Sequence, residues 1–95
     1  MTGSASVAIG FGRNLRRCRK RAGISQEALG ERAGLHRTEI GLLERGARTP
    51  RVDTLVRLAA SLSIPPAELL AGITWTLGHV EVVDGAFEVE EPEAG

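Results

Sequence analysis

The residues of this chain best able to do chemistry are its arginines. Residues 1–51 hold 11 Lys/Arg and 4 Asp/Glu, a balance of +7, while residues 52–95 hold one basic residue, Arg57, and eight acidic ones, a balance of −7. The formal net charge of zero hides an electrical dipole along the sequence. Arg13, Arg16, Arg17, Arg19, Lys20 and Arg21 crowd into one short stretch. Clustered cations raise the local positive potential, so the basic half is a candidate polyanion surface. Its plainer reading is a solvated helix face. Other chemistries are poorly supplied. No Ser–His–acid set has an identifiable context, and Gly10-Phe11-Gly12 is too short to be a nucleotide fingerprint. The two distant histidines, His36 and His79, and the single cysteine, Cys18, make neither a metal site nor a disulfide. Without tyrosine, and with two phenylalanines and one tryptophan, the chain lacks the rings of a single-strand stacking platform. The residues therefore point to a binding protein with no cofactor and no metal, and not to an enzyme.

Such a surface needs a scaffold. Ninety-five residues, 42% hydrophobic and 25% charged, fit one small globular domain. The lone cysteine suits a reducing compartment, so the expected location is cytoplasmic. No run reaches the ~18–20 apolar residues of a membrane span, and the start lacks a secretory pattern. Residues 1–10, rich in Gly, Ser, Thr and Ala, read as a flexible arm. From Phe11 the pattern turns helical: Phe11, Leu15, Cys18 and Ala22 make one apolar stripe, stopped by Gly23. Ser25 is the N-cap of a second helix, with Leu29 and Ala33 inward and Gly34 as its stop. A third helix starts near His36 or Arg37, with Ile40 and Leu43 inward and Gly46 as its stop. A fourth runs from about Val52, burying Leu55, Leu58, Ala59 and Leu62. Pro65 and Pro66 open a short fifth, capped by Gly72. The predicted fold is thus mainly α, five helices over residues 11–72, followed by a β-hairpin extension over 73–90 and an acidic tail over 91–95.

The hairpin is read from Asp84-Gly85 between the alternating runs Val80–Val83 and Ala86–Glu90. A two-residue loop sets Val83 opposite Ala86, Val82 opposite Phe87 and Val80 opposite Val89. One face is then Val80, Val82, Phe87 and Val89, and it must pack on the helices or on a second chain. Trp75 reads as an anchor between hairpin and helices.

Between Gln26 and Gly46, two short helices meet at a tight turn on Gly34, and the second has a polar outer face. That is helix-turn-helix geometry, in which the second helix enters the DNA major groove. The words Gly23-Ile24-Ser25-Gln26-Glu27-Ala28-Leu29, Gly34-Leu35, Ile40, Leu43-Glu44-Arg45-Gly46 and Pro50 follow in order. Leu55-Val56-Arg57-Leu58-Ala59, Leu62 and Glu68-Leu69-Leu70 continue the series. Over residues 11–72 the chain resembles the Cro/C1-type (XRE-family) helix-turn-helix domain, a lambda-repressor-like fold. The resemblance implies a sequence-specific transcriptional regulator of double-stranded DNA, expected to be a bacterial or phage repressor that reads an inverted-repeat operator as a dimer. It implies base readout by Arg37, Thr38 and Leu42, Arg37 offering a bidentate pair to guanine. An apolar Leu42 touches a thymine methyl or nothing. Glu39 either accepts from cytosine N4 or repels misplaced phosphates. Ser25, Gln26, Arg45, Arg48 and Arg51 become backbone contacts. His36 is a helix cap or a neighbour of a phosphate. Arg19 and Glu44 match a pair that orients the reading helix. Gly30 and Gly41 depart from good helix formers and cost helix stability, up to ~1 kcal/mol each. Ile73, Trp75, Val80, Val82, Phe87 and Val89 make the candidate dimer surface. A different reading, in which the acidic half engages a basic protein, makes the chain an interaction adaptor or antitoxin-like partner. Steep salt dependence of DNA binding separates the two.

Overall fold

The computed structural model describes residues 4–77 and 85–90, with side chains from Ser6 onward. Five helices run α1 Ser4–Arg21, α2 Gln26–Ala33, α3 Arg37–Glu44, α4 Val52–Ser61 and α5 Pro66–Leu69. Strands β1 Ile73–Leu77 and β2 Gly85–Val89 form a two-stranded antiparallel sheet. The helical core is one cluster built on Phe11, Leu15, Cys18, Leu29, Ile40, Leu43, Leu58 and Leu69, all buried. Each helix offers it an apolar stripe and turns its charges outward, as an amphipathic helix must. The glycines read as stops, Gly23, Gly34, Gly46 and Gly72, all have φ near +70°. There L-residues with a Cβ are strained and glycine is not. Ala22 is exposed, because α1 ends at Arg21 and Ala22 already belongs to the turn.

The arm expected at residues 1–10 is instead helical from Ser4 onward. Its small residues are small for a packing reason. Ser6 and Gly10, four apart, share one face of α1, and both are buried. A Cβ at Gly10 would stand 2.6 Å from Val89 Cγ1 and 3.3 Å from Ile73 Cγ1, so the hairpin seats there. Ala8 and Gly12 make a second such pair. A Cβ at Gly12 would lie 2.5 Å and 2.6 Å from the Leu43 and Glu44 carbonyl oxygens. Ile9 meets the turn at Gly46. Composition that reads as a tail is thus the surface on which two other elements close.

The hairpin register also differs from the expected one. Phe87 pairs with Trp75, Val89 with Ile73, and Gly85 with Leu77. Val80 and Val82 lie outside the described residues. The first strand is Ile73–Leu77, and residues 78–84 lie outside the described residues. The observed pairing gives an edge-to-face contact of Trp75 with Phe87, ring centroids 5.0 Å apart at 71°. It also turns Ile73 and Val89 onto α1. Gly85 is a strand residue lying under the Trp75 indole, where a Cβ would overlap the ring. The glycine that signalled a turn is thus explained by the tryptophan across from it.

Candidate nucleic-acid interface

α2 begins at Gln26 because Ser25 caps it, its Oγ accepting from the Ala28 N–H at 3.0 Å. α3 begins at Arg37 because His36 caps it, its Nδ1 accepting from the Thr38 N–H at 3.0 Å. The turn between them is tight: a Cβ at Gly30 would collide with the Leu35 carbonyl oxygen. Gly30 therefore sets the spacing of the two helices.

At roughly 100° per residue, Thr38, Leu42 and Arg45 share the outward stripe of α3, with Glu39 at its margin. Thr38 and Arg45 are exposed and Leu42 is half-buried, while Ile40, Gly41 and Leu43 face the core. Arg37 falls off that stripe, on the side toward α2, where its guanidinium stands 3.5 Å from Glu27. Arg48 is 3.3 Å from Glu39 and Arg51 is 3.3 Å from Asp53. The Arg45 guanidinium and the Gln26 carboxamide both lie over Gly41, 3.2 Å and 3.7 Å from where its Cβ would stand. Gly41 leaves them room.

Behind this face sits the pair matched in the sequence. Arg19 of α1 grips Glu44 of α3 bidentately, Nε to Oε2 at 2.5 Å and Nη2 to Oε1 at 3.0 Å. Gln26 of α2 donates to the same Oε1 at 3.1 Å, and Arg19 donates to the Ile24 carbonyl at 3.0 Å. One carboxylate therefore ties three helices together. The two side chains are only 12% and 4% exposed. The hydrogen bond that Arg19 donates to Glu44 raises the Arg19 pKa above its ordinary value, and burial pulls the other way.

Two features escaped the sequence. Asn14 is buried and donates to the Leu69 and Ala71 carbonyls, both at 2.9 Å, satisfying the end of α5. Its only signal was an amide beside the apolar stripe. Glu27 holds Arg37 across two helices, ten positions away, a spacing no single-helix rule reads. At the candidate dimer surface, Ile73 and Val89 pack on the chain's own α1, whereas Trp75 is 50% and Leu77 81% exposed. Val52 and Val56 make a second exposed apolar pair, on α4. Among the described residues no His/Cys/Asp/Glu group is arranged to hold a metal, and no helix is long and apolar enough to cross a membrane.

The helix-turn-helix family model (HTH_3) matches residues 15–69. The chain belongs to the Cro/C1-type helix-turn-helix family. It is 33% identical to the control protein C.BamHI of Bacillus amyloliquefaciens over 66 residues, which are 68% of this chain and 82% of that one. The restriction-modification controller protein C.AhdI of Aeromonas hydrophila superposes with a TM-score of 0.65 at 39% identity, covering 67% of this chain and 97% of that one. The P22 c2 repressor, solved with a synthetic operator, gives 0.61 at 34% identity, covering 65% and 94%. The helix-turn-helix family match ends at residue 69, before the hairpin that carries Trp75 and Phe87.

Proposed function

We propose that this helix-turn-helix protein is a transcriptional regulator that reads double-stranded DNA with α3. The observation that carries the reading is the opposition of two faces of that helix. Thr38, Leu42 and Arg45 look outward, while Glu44 at the back is fixed by Arg19 and Gln26. A reading helix needs that combination, because base-edge hydrogen bonds tolerate little angular play.

In this reading Arg37 and Thr38 meet base edges and Leu42 packs on a thymine methyl. Arg45, Arg48 and Arg51 take phosphates. The caps support this division chemically. Ser25 Oγ accepts from its own helix and keeps its hydroxyl hydrogen for a phosphate. His36 accepts through Nδ1, which leaves Nε2–H as the donor. Gln26 gives one amide N–H to Glu44 and keeps the other, together with its backbone N–H at the start of α2, for the DNA. Arg37→Ala should lower preference for the operator over scrambled DNA by about 5- to 150-fold, the worth of one bidentate pair. Arg48→Ala should weaken all sequences alike. Competition binding measures both, and an unchanged preference in Arg37→Ala would sink the readout assignment.

One domain covers about half an operator, so the reading includes a dimer and an inverted repeat, with binding that blocks a promoter. The exposed Trp75 and Leu77, with the half-buried Phe87 beside them, make the proposed contact. Leu77→Glu leaves the helical core untouched and should give a monomer by light scattering; a dimer that persists places the contact elsewhere, with Val52 and Val56 next in line. The likeness to restriction-modification controllers makes such a locus the first place to seek the operator.

A further inference from the structure

We infer that Glu27 and Glu39 are affinity-setting residues, internal stand-ins for phosphate that occupy Arg37 and Arg48 in the free protein and compete with DNA for them. The inference rests on the DNA-reading function just proposed. It starts from a pattern at that face: Arg37, Arg48 and Arg51 are each held by a carboxylate, Glu27, Glu39 and Asp53. Asp53 is a near neighbour of Arg51 in sequence, so that contact is local. The other two pairs join different elements. Glu27 reaches from α2 to the start of α3, and Glu39 reaches from α3 to the turn before α4. Glu39 is the less accessible of the two, its side chain 28% exposed against 63% for Glu27.

A guanidinium bound to a carboxylate must leave it to bind anything else. On an operator, Arg37 exchanges Glu27 for two guanine acceptors, a bidentate pair for a monodentate one. On a sequence without that guanine it gains nothing by leaving. Arg48 exchanges Glu39 for a phosphate on any DNA, and leaves the Glu39 carboxylate facing the polyanion. Glu39 therefore opposes every complex, and Glu27 opposes the operator complex, the one in which Arg37 must leave it. Both act by electrostatics that salt screens.

The test measures binding of the full chain to a scrambled duplex and to the operator duplex recovered by selection, by fluorescence anisotropy over a range of salt. Wild type comes first: no salt-sensitive DNA binding at all would overturn the DNA-reading function itself, and this inference with it. Given binding, Glu39→Gln should tighten the scrambled complex about three- to tenfold at low salt, the scale of an exposed pair plus one repulsive charge. Most of that gain should vanish in the Arg48→Gln background, and it should shrink as salt rises. Glu27→Gln should widen the ratio of operator to scrambled affinity, because Arg37 gives up Glu27 only on the operator; a narrower ratio would overturn the role given to Glu27. Glu31→Gln removes the same charge one turn along α2, from an exposed residue that holds no arginine of this face. If Glu31→Gln tightens binding as much as Glu27→Gln and Glu39→Gln do, net charge alone is at work and the inference fails. It fails equally if the Glu39→Gln gain is the same with and without Arg48.

Discussion

Glu44→Ala should cost the chain about 3 kcal/mol of stability, the low end for breaking a buried ion pair, because Arg19 keeps some solvent. In a domain of this size that is a fall in Tm of roughly 12–24 °C. The cause is what remains behind: a guanidinium that has lost both carboxylate oxygens, 12% exposed, with only the Ile24 carbonyl as partner. Gln26 loses its acceptor as well. The double variant Arg19→Met/Glu44→Leu, which leaves no unpaired charge, should melt closer to wild type than either single change. Its DNA affinity should stay low, because apolar contacts do not fix the rotation of α3 as a bidentate pair does. Circular dichroism melts of the three variants read the comparison. A loss below about 1 kcal/mol in Glu44→Ala would rank the pair with ordinary surface contacts. The Arg19 pKa is raised in the folded chain, so its contribution is complete below the unfolded value and is lost only as pH rises through the arginine range. Arg19 should therefore add no pH dependence to melting near neutrality.

Gly12→Ala is the second large effect, and its sign runs against helix propensity. Alanine in a helix interior is favoured over glycine by about 1 kcal/mol. At Gly12, however, the new methyl would press on two backbone oxygens at the end of α3, which cannot rotate away. A net loss of about 1–3 kcal/mol is expected from the overpacking. Because those oxygens belong to the last turn of the reading helix, DNA affinity should fall as well. Gly41→Ala makes the contrast. Its methyl would meet only the flexible head of Arg45 and, at ordinary contact distance, the Gln26 carboxamide, so stability should hold or rise. Urea midpoints separate the two, and a Gly12→Ala chain as stable as wild type would contradict the close approach of α1 to α3.

The helices from Phe11 onward were legible because their signals are local. Stops at Gly23, Gly34, Gly46 and Gly72 and the cap at Ser25 each depend on one residue's own backbone or side chain. The Arg19–Glu44 pair was legible through family resemblance; nothing in a spacing of 25 positions announces a contact. What was not legible is long-range. Ser6, Ala8 and Gly10 look like a loose arm until the hairpin is set against Gly10. Asp84-Gly85 carries a strong turn signal, but the pairing of Trp75 with Phe87 and the seat of Val89 on α1 decide the register. The face of α3 was readable from helical period, whereas Glu27, which holds Arg37, lies on α2, and Arg48, which Glu39 of α3 holds, lies beyond the helix end.

Selection of bound duplexes from a random pool, by the full chain at near-physiological salt, tests the reading of DNA by α3 most directly. An inverted repeat is the expected product, with a half-site that loses its guanine preference when Arg37→Ala replaces wild type in the same selection. A recovered pool no richer in any sequence than the starting one would contradict it.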